Sequence, residues 1–112
     1  MADQNVVNME KAKKITLTDI ADYVTNTVVS QTLLRNDAGN VTFFSFAEGQ
    51  GLSAHSAPFD AFVHVLEGEG TIIIDNQEHL LMAGQAILMP ADIQHAVRAD
   101  KDFKMLLVML KG

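Results

Sequence analysis

The chain has 112 residues, 48% of them apolar, with eight Lys and Arg against fourteen Asp and Glu for a net charge of −6, and no cysteine. That length holds one folding unit with apolar material for one core, while the missing cysteines exclude disulfides, thiolate catalysis and Cys-ligated metal. No basic stripe, no signal-like start and no apolar run of membrane-spanning length lead to the expectation of a cytoplasmic protein with neither nucleic acid nor membrane as partner.

Residues 1–14 read as a polar arm with little to bury. Thr16 or Thr18 is placed to cap a short helix running to about Tyr23, so 1–26 is expected to be an arm with a short helix and 27–112 the folded domain. From Thr27 onward the pattern changes to short β-type runs at 27–35, 41–47, 51–56, 61–66, 71–75, 79–82, 86–89, 95–98 and 103–110. Asn36 to Asn40, Glu48 to Gly51, Gly68 to Gly70, Asp75 to Gln77 and Ala83-Gly84 lie between them, each expected to reverse the chain. Nine such runs at near-even spacing predict an all-β sandwich or barrel of antiparallel sheets. Pro58 and Pro90 fall at strand edges, where a missing N–H costs little.

Two segments carry the spacing of a site. The first reads Gly49, five residues, His55, Ser56, Ala57, three residues, Ala61, six residues, Gly68; the second reads Gly84, five residues, Pro90, Ala91, Asp92, two residues, His95, three residues, Ala99. This frame resembles the two motifs of the cupin superfamily, of the small single-domain conserved-barrel type, and the resemblance extends over roughly residues 27 to 110. It implies a small double-stranded β-helix, or jelly-roll, barrel of two antiparallel sheets. Where the family's motifs carry His, His, Glu and His, this chain has His55, Ala57, Ala61 and His95. The resemblance therefore implies at most one divalent ion, iron, manganese, nickel or zinc, held weakly by His55 and His95 facing each other across the barrel mouth, and otherwise no cofactor; stable sites for such ions usually have three or four protein ligands.

The neighbours of these positions divide by strand parity. Asp60 and His64 stand an odd number of residues from Ala61 and are expected on the opposite face, whereas Asp92 and Gln94 flank His95 in a turn, where an inward reach stays open. Ser53 and Ser56 lack the separate base and orienting acid of a nucleophile. His79 reads as a solvated strand residue. Met82, Met89, Met105 and Met109 either line an adaptable apolar pocket or fill the core, and Phe43, Phe44, Phe46, Phe62 and Phe103 carry the same ambiguity. With alanines in place of two ligands, a widened pocket is expected beside the histidines, lined by Ala57, Ala61, Met89, Phe43 and Met105 and suited to a small apolar molecule with one polar anchor. Val28, Phe44, Phe62 and Leu107 are expected to face outward and to form a homodimer surface. Three functions stay open: a small-molecule-binding protein, a metal-dependent dioxygenase or isomerase using His55 and His95, and a structural or interaction module.

Overall fold

The computed structural model describes residues 9–111, so the first eight residues of the arm lie outside the described residues. The described chain folds into strands β1 (Val28–Asn36), β2 (Gly39–Phe46), β3 (Gly51–His55), β4 (Asp60–Ile74), β5 (Gln77–Met82), β6 (Ala86–Met89), β7 (His95–Arg98) and β8 (Phe103–Leu110). All pairings are antiparallel, in the order β1-β2-β8-β4-β7-β3, with β5 and β6 also on β4. The first part of β4 joins β1, β2, β8 and β6 in one sheet, and its second part joins β5, β7 and β3 in the other. The result is a curled antiparallel jelly-roll half-barrel. No helix among the described residues is long and apolar enough to cross a membrane.

The runs expected at 61–66 and 71–75 are one 15-residue strand, because the glycines between them bend the chain instead of reversing it. Gly68 adopts φ +75 just past a register shift between Val65 and Glu67, and at Gly70 a side chain would run into the Phe103 ring. Positive φ and a bare backbone are what glycine supplies at a bulge. β4 thus carries the fold from one sheet to the other around a core of Phe46, Val63, Val65, Ile72, Val97, Phe103 and Met105.

Partners in an antiparallel register share a face, and faces alternate along each strand. One row on the concave, core-facing side of the first sheet runs Arg35, Asn40, Met109, Ala61, Met89, and the next runs Thr32, Thr42, Leu107, Val63, Ile87. The convex side carries the row Leu34, Val41, Val108, Phe62, Leu88. Val28, Phe44 and Leu107, expected to face outward, instead pack against the core; Phe62 does face outward. Consecutive apolar residues at 43–44 and 106–108 hide the alternation, and only the register resolves it.

Part of the convex side is covered by residues 9–24. Met9 N donates to Leu33 O at 2.8 Å, Ser45 Oγ to Asp22 O at 3.2 Å, and the buried Lys104 Nζ to Thr18 O at 2.7 Å. Lys104 also lies 4.9 Å from the centre of the Tyr23 ring and 3.7 Å from Glu67, whose carboxylate accepts the Tyr23 hydroxyl at 2.5 Å. Burial first, then the bond to and charge of Glu67, push the Tyr23 phenol well above its ordinary range. The helix expected to run to Tyr23 is a single 3-10 turn, Leu17–Asp19, without a side-chain cap. The Thr18 carbonyl within the turn and the Asp22 carbonyl beyond it are drawn to Lys104 and Ser45, which hold the segment on the sheet.

Candidate functional site

β3 ends at His55 and β7 begins at His95, and the two are direct cross-strand partners; His95 also pairs with Ile74 at the end of β4. They sit side by side on adjacent strands, not on opposite walls. A register shift between Leu52 and His55 brings His55 level with His95. The two loops leaving this point are tied together: Asp92 N donates to Ala57 O at 2.8 Å, and Ala91 N donates to Asp60 Oδ1 at 2.9 Å. Because loop 56–59 leads into the start of β4, where Asp60 pairs with Leu110, the histidine pair shares one end of the barrel with the row containing Ala61 and Met89.

The backbone assigns the tautomers. His55 Nδ1 donates to Ser53 O at 2.8 Å and His95 Nδ1 to Ile93 O at 3.2 Å. A carbonyl only accepts, so in each neutral ring the hydrogen is on Nδ1 and Nε2 carries a bare lone pair. Those two nitrogens face each other at 3.2 Å, with the rings edge to face at 69°. Two opposed lone pairs attract only when a proton or a cation lies between them. His95 is 7% exposed. Burial first, and the charge of His55 second, hold its pKa below the ordinary His value against the opposing pull of the Ile93 carbonyl.

This lowered value has a consequence for stability. The unfolded chain takes up a proton at His95 near its ordinary pKa of 6.5, while the folded chain resists it. Stability present at neutral pH is therefore lost as pH falls through 6.5 toward the lowered folded value, and levels off below it. Urea unfolding between about pH 7.5 and pH 5.5 is expected to show this decline, and His95→Gln to flatten it. A variant that declines as steeply as the parent would place the proton uptake elsewhere.

The pair meets part of what a divalent ion requires. Two ligands bound at about 2.1 Å and at right angles stand about 3.0 Å apart, close to the 3.2 Å between the Nε2 atoms. A ring that donates its other N–H to a carbonyl is also oriented as metal-bound imidazoles are. The remaining donors are absent: among the described residues no three His, Asp or Glu side chains converge. Ala57 is half-buried in the loop after β3, and Ala61 is buried in the core. Asp60 is engaged with Ala91, His64 lies on the convex side in register with Leu106 and Ala86, and Gln94 contributes its backbone carbonyl to Asp75 N at 2.9 Å.

Of the residues expected to line a pocket, Ala61, Met89 and Met105 are in the packed core. Phe43 is on the convex side, in register with Leu106, and fully buried. The concave side nevertheless has an open cavity of about 250 Å3, displaced along the sheet toward β1, β2 and β8. Phe44, Leu107 and Met109 form its apolar wall, and Thr32, Thr42, Asn40, Arg35 and Lys111 supply polar groups. These polar residues escaped the reading of the sequence; their signal is the two-residue alternation of Asn40 and Thr42 with Val41 and Phe43. A smaller hollow of about 170 Å3, on the convex side among Leu34, Val41, Val108 and Leu110, has an apolar floor with no titratable group.

A protein-family model described as "Cupin domain" matches residues 42–110. The solved structure of a conserved protein of unknown function from Streptococcus pyogenes superposes with a TM-score of 0.89 at 38% identity, covering 100% of this chain and 98% of that one. A cupin superfamily protein from Desulfitobacterium hafniense DCB-2 gives a TM-score of 0.87 at 28% identity, over 95% and 97% of the two chains. Protein SchB of Streptomyces halstedii is 34% identical over 65 residues, 57% of this chain and 47% of SchB, so the chain spans about half the length of that curated relative.

Proposed function

Since the chain belongs to the cupin domain family, whose fold hosts many chemistries and fixes none, we propose from the site itself that it binds a small organic molecule in the concave mouth of the barrel. The observation that carries this reading is the cavity of about 250 Å3 on the core-facing side, at the end of the barrel that also holds the paired imidazoles. An apolar wall with a few placed polar groups is the usual composition of a ligand site. The experiment is a fragment titration followed by NMR on the parent chain and on Thr42→Phe, which fills the cavity from the concave face. Fragments are expected to shift resonances of Thr42, Leu107 and Met109 in the parent and to lose their binding in the variant. Binding that persists unchanged in Thr42→Phe would remove the reading.

One observation favours a second reading, a metal-dependent activity: the two Nε2 lone pairs meet at 3.2 Å with both rings fixed from behind. His55 and His95 would then hold a divalent ion at two adjacent positions, leaving the others to water or to the bound molecule. Such an ion supplies Lewis-acid polarisation of a ligand oxygen. With two protein donors it is held weakly, and the chain's own contribution is to orient both imidazoles and to keep His95 unprotonated at neutral pH.

A further inference from the structure

The convex side of the first sheet carries one row, Leu34, Val41, Val108, Phe62 and Leu88, that crosses five strands in the order β1-β2-β8-β4-β6 without a polar side chain. Residues 9–24 cover the convex side farther along the strands, at Ser45 and Lys104. This row stays open among the described residues: Leu34 is 52% exposed, Phe62 44% and Leu88 58%, with Leu110 at 64% beside them. A contiguous apolar patch of this kind marks an interaction surface. Its two halves differ in shape. The β1, β2 and β8 side holds the hollow of about 170 Å3 among Leu34, Val41, Val108 and Leu110, and the β4 side presents the Phe62 ring.

We propose that this row docks a second copy of the chain, with Phe62 of each copy filling the hollow of the other. Val108 is the middle of the five positions. A two-fold axis parallel to the strands and passing over it lays the row on a reversed copy of itself, so that Leu34 meets the partner's Leu88, Val41 meets the partner's Phe62, and Val108 meets the partner's Val108. The same patch then serves both sides, as a closed two-fold pair requires. An apolar hollow of roughly 150 Å3 is enough for a benzene ring, so the Phe62 ring fits the space it would enter. Any other partner must supply a knob and a hollow at this same spacing, whereas a second copy supplies both by symmetry. Each chain carries a net charge of −6, yet the row itself is uncharged and its pairing buries no charge. Of the four residues expected from the sequence to form a homodimer surface, Phe62 alone belongs to the row. Five strands about 4.8 Å apart and two to three rows deep give roughly 500 Å2 per copy, the size of a weak reversible pair. The concave mouth, on the other side of the sheet, stays free, so the proposal is independent of the small-molecule reading.

The test is sedimentation equilibrium of the intact chain from about 1 to 500 µM, the range in which a micromolar pair forms. The parent is expected to pass from one copy to two. Phe62→Ala is expected to weaken pairing by roughly 10-fold or more, as loss of a central aromatic anchor does. Leu80→Lys, 59% exposed on β5 and outside the row, is expected to leave it unchanged. Leu34→Glu and Leu88→Lys read the register: each alone is expected to pair roughly 10-fold less tightly, and an equal mixture to recover most of the loss, because opposite charges then face each other. All four positions are about half-exposed or more, so the variants are expected to unfold at the parental temperature. A parent that stays a single copy throughout overturns the proposal and leaves the row to residues 1–8 or to a different partner. Pairing that resists Phe62→Ala, or that Leu80→Lys weakens as much, places the contact elsewhere and overturns it too. A mixture that pairs no better than its two components overturns the reversed alignment on which the Phe62 contact rests.

Discussion

Phe103→Ala is expected to destabilise the fold by about 3–5 kcal/mol, the cost of deleting a buried aromatic ring. A small domain holds only about 5–15 kcal/mol in total, so much of its stability is at stake. Phe103 is fully buried, its ring stacked on Phe46 with centroids 4.8 Å apart and planes 13° from parallel. It is in register with both Phe46 and Gly68, and its ring lies against the bare backbone of Gly70. This is where β4 passes from one sheet to the other, so the cavity left by alanine opens at the joint of the barrel. Urea unfolding should show a lower midpoint with an unchanged slope. The same geometry predicts coupling: Gly70→Ala should be destabilising in the parent, where the new methyl meets the ring, and close to neutral in the Phe103→Ala background. Equal costs in both backgrounds would show that Gly70 is required by its backbone and not by the ring.

The second large effect concerns metal. The double variant Ala57→His with Ala61→Glu is expected to raise zinc affinity by roughly 100-fold or more, by completing a donor set of which only two members stand in the parent. Ala61 is on the concave side between Met89 and Met109, and Ala57 is tied to Asp92 at the mouth. A carboxylate at position 61 also enters a buried place, because Ala61 is 2% exposed. Without an ion the double variant should therefore be less stable than the parent, by about 1–3 kcal/mol, and zinc should restore the loss. Thermal unfolding with and without zinc reads both halves. A loss of stability that zinc does not recover would mean that positions 57 and 61 do not converge on the histidine pair. Ala57 is the more demanding half, since it lies in a loop where strand alternation does not set its direction.

Much of the barrel was legible from its punctuation. The runs of β-type residues and the Asp75-Asn76 turn with both residues at positive φ reappear in the folded chain, and His55 and His95 come together, side by side on adjacent strands instead of across the mouth. The misreading of facing in β2 has a plain physical origin: sequence alternation shows facing only when one side of a strand is wet. β2 is apolar on both sides because residues 9–24 cover part of its convex face, so Phe43 and Phe44 look alike in sequence and point in opposite directions. The extra residue at the Thr32 to Leu34 register shift changes parity in the middle of β1, which is how Arg35 comes to the concave side. Gly68 and Gly70 read as a turn because glycine marks a bulge and a reversal with the same letter. The cavity was not legible because its residues come from three strands whose register no local pattern reveals.

The measurement that bears most directly on the concave mouth as the binding surface is a backbone and methyl NMR map of the parent chain titrated with a set of small organic fragments. Shifts are expected along the concave rows, at Thr42, Leu107, Met109 and Arg35, extending to His95, with Leu34, Val108, Phe62 and Leu88 unmoved. Shifts confined to that convex row, with the concave residues silent, would contradict it.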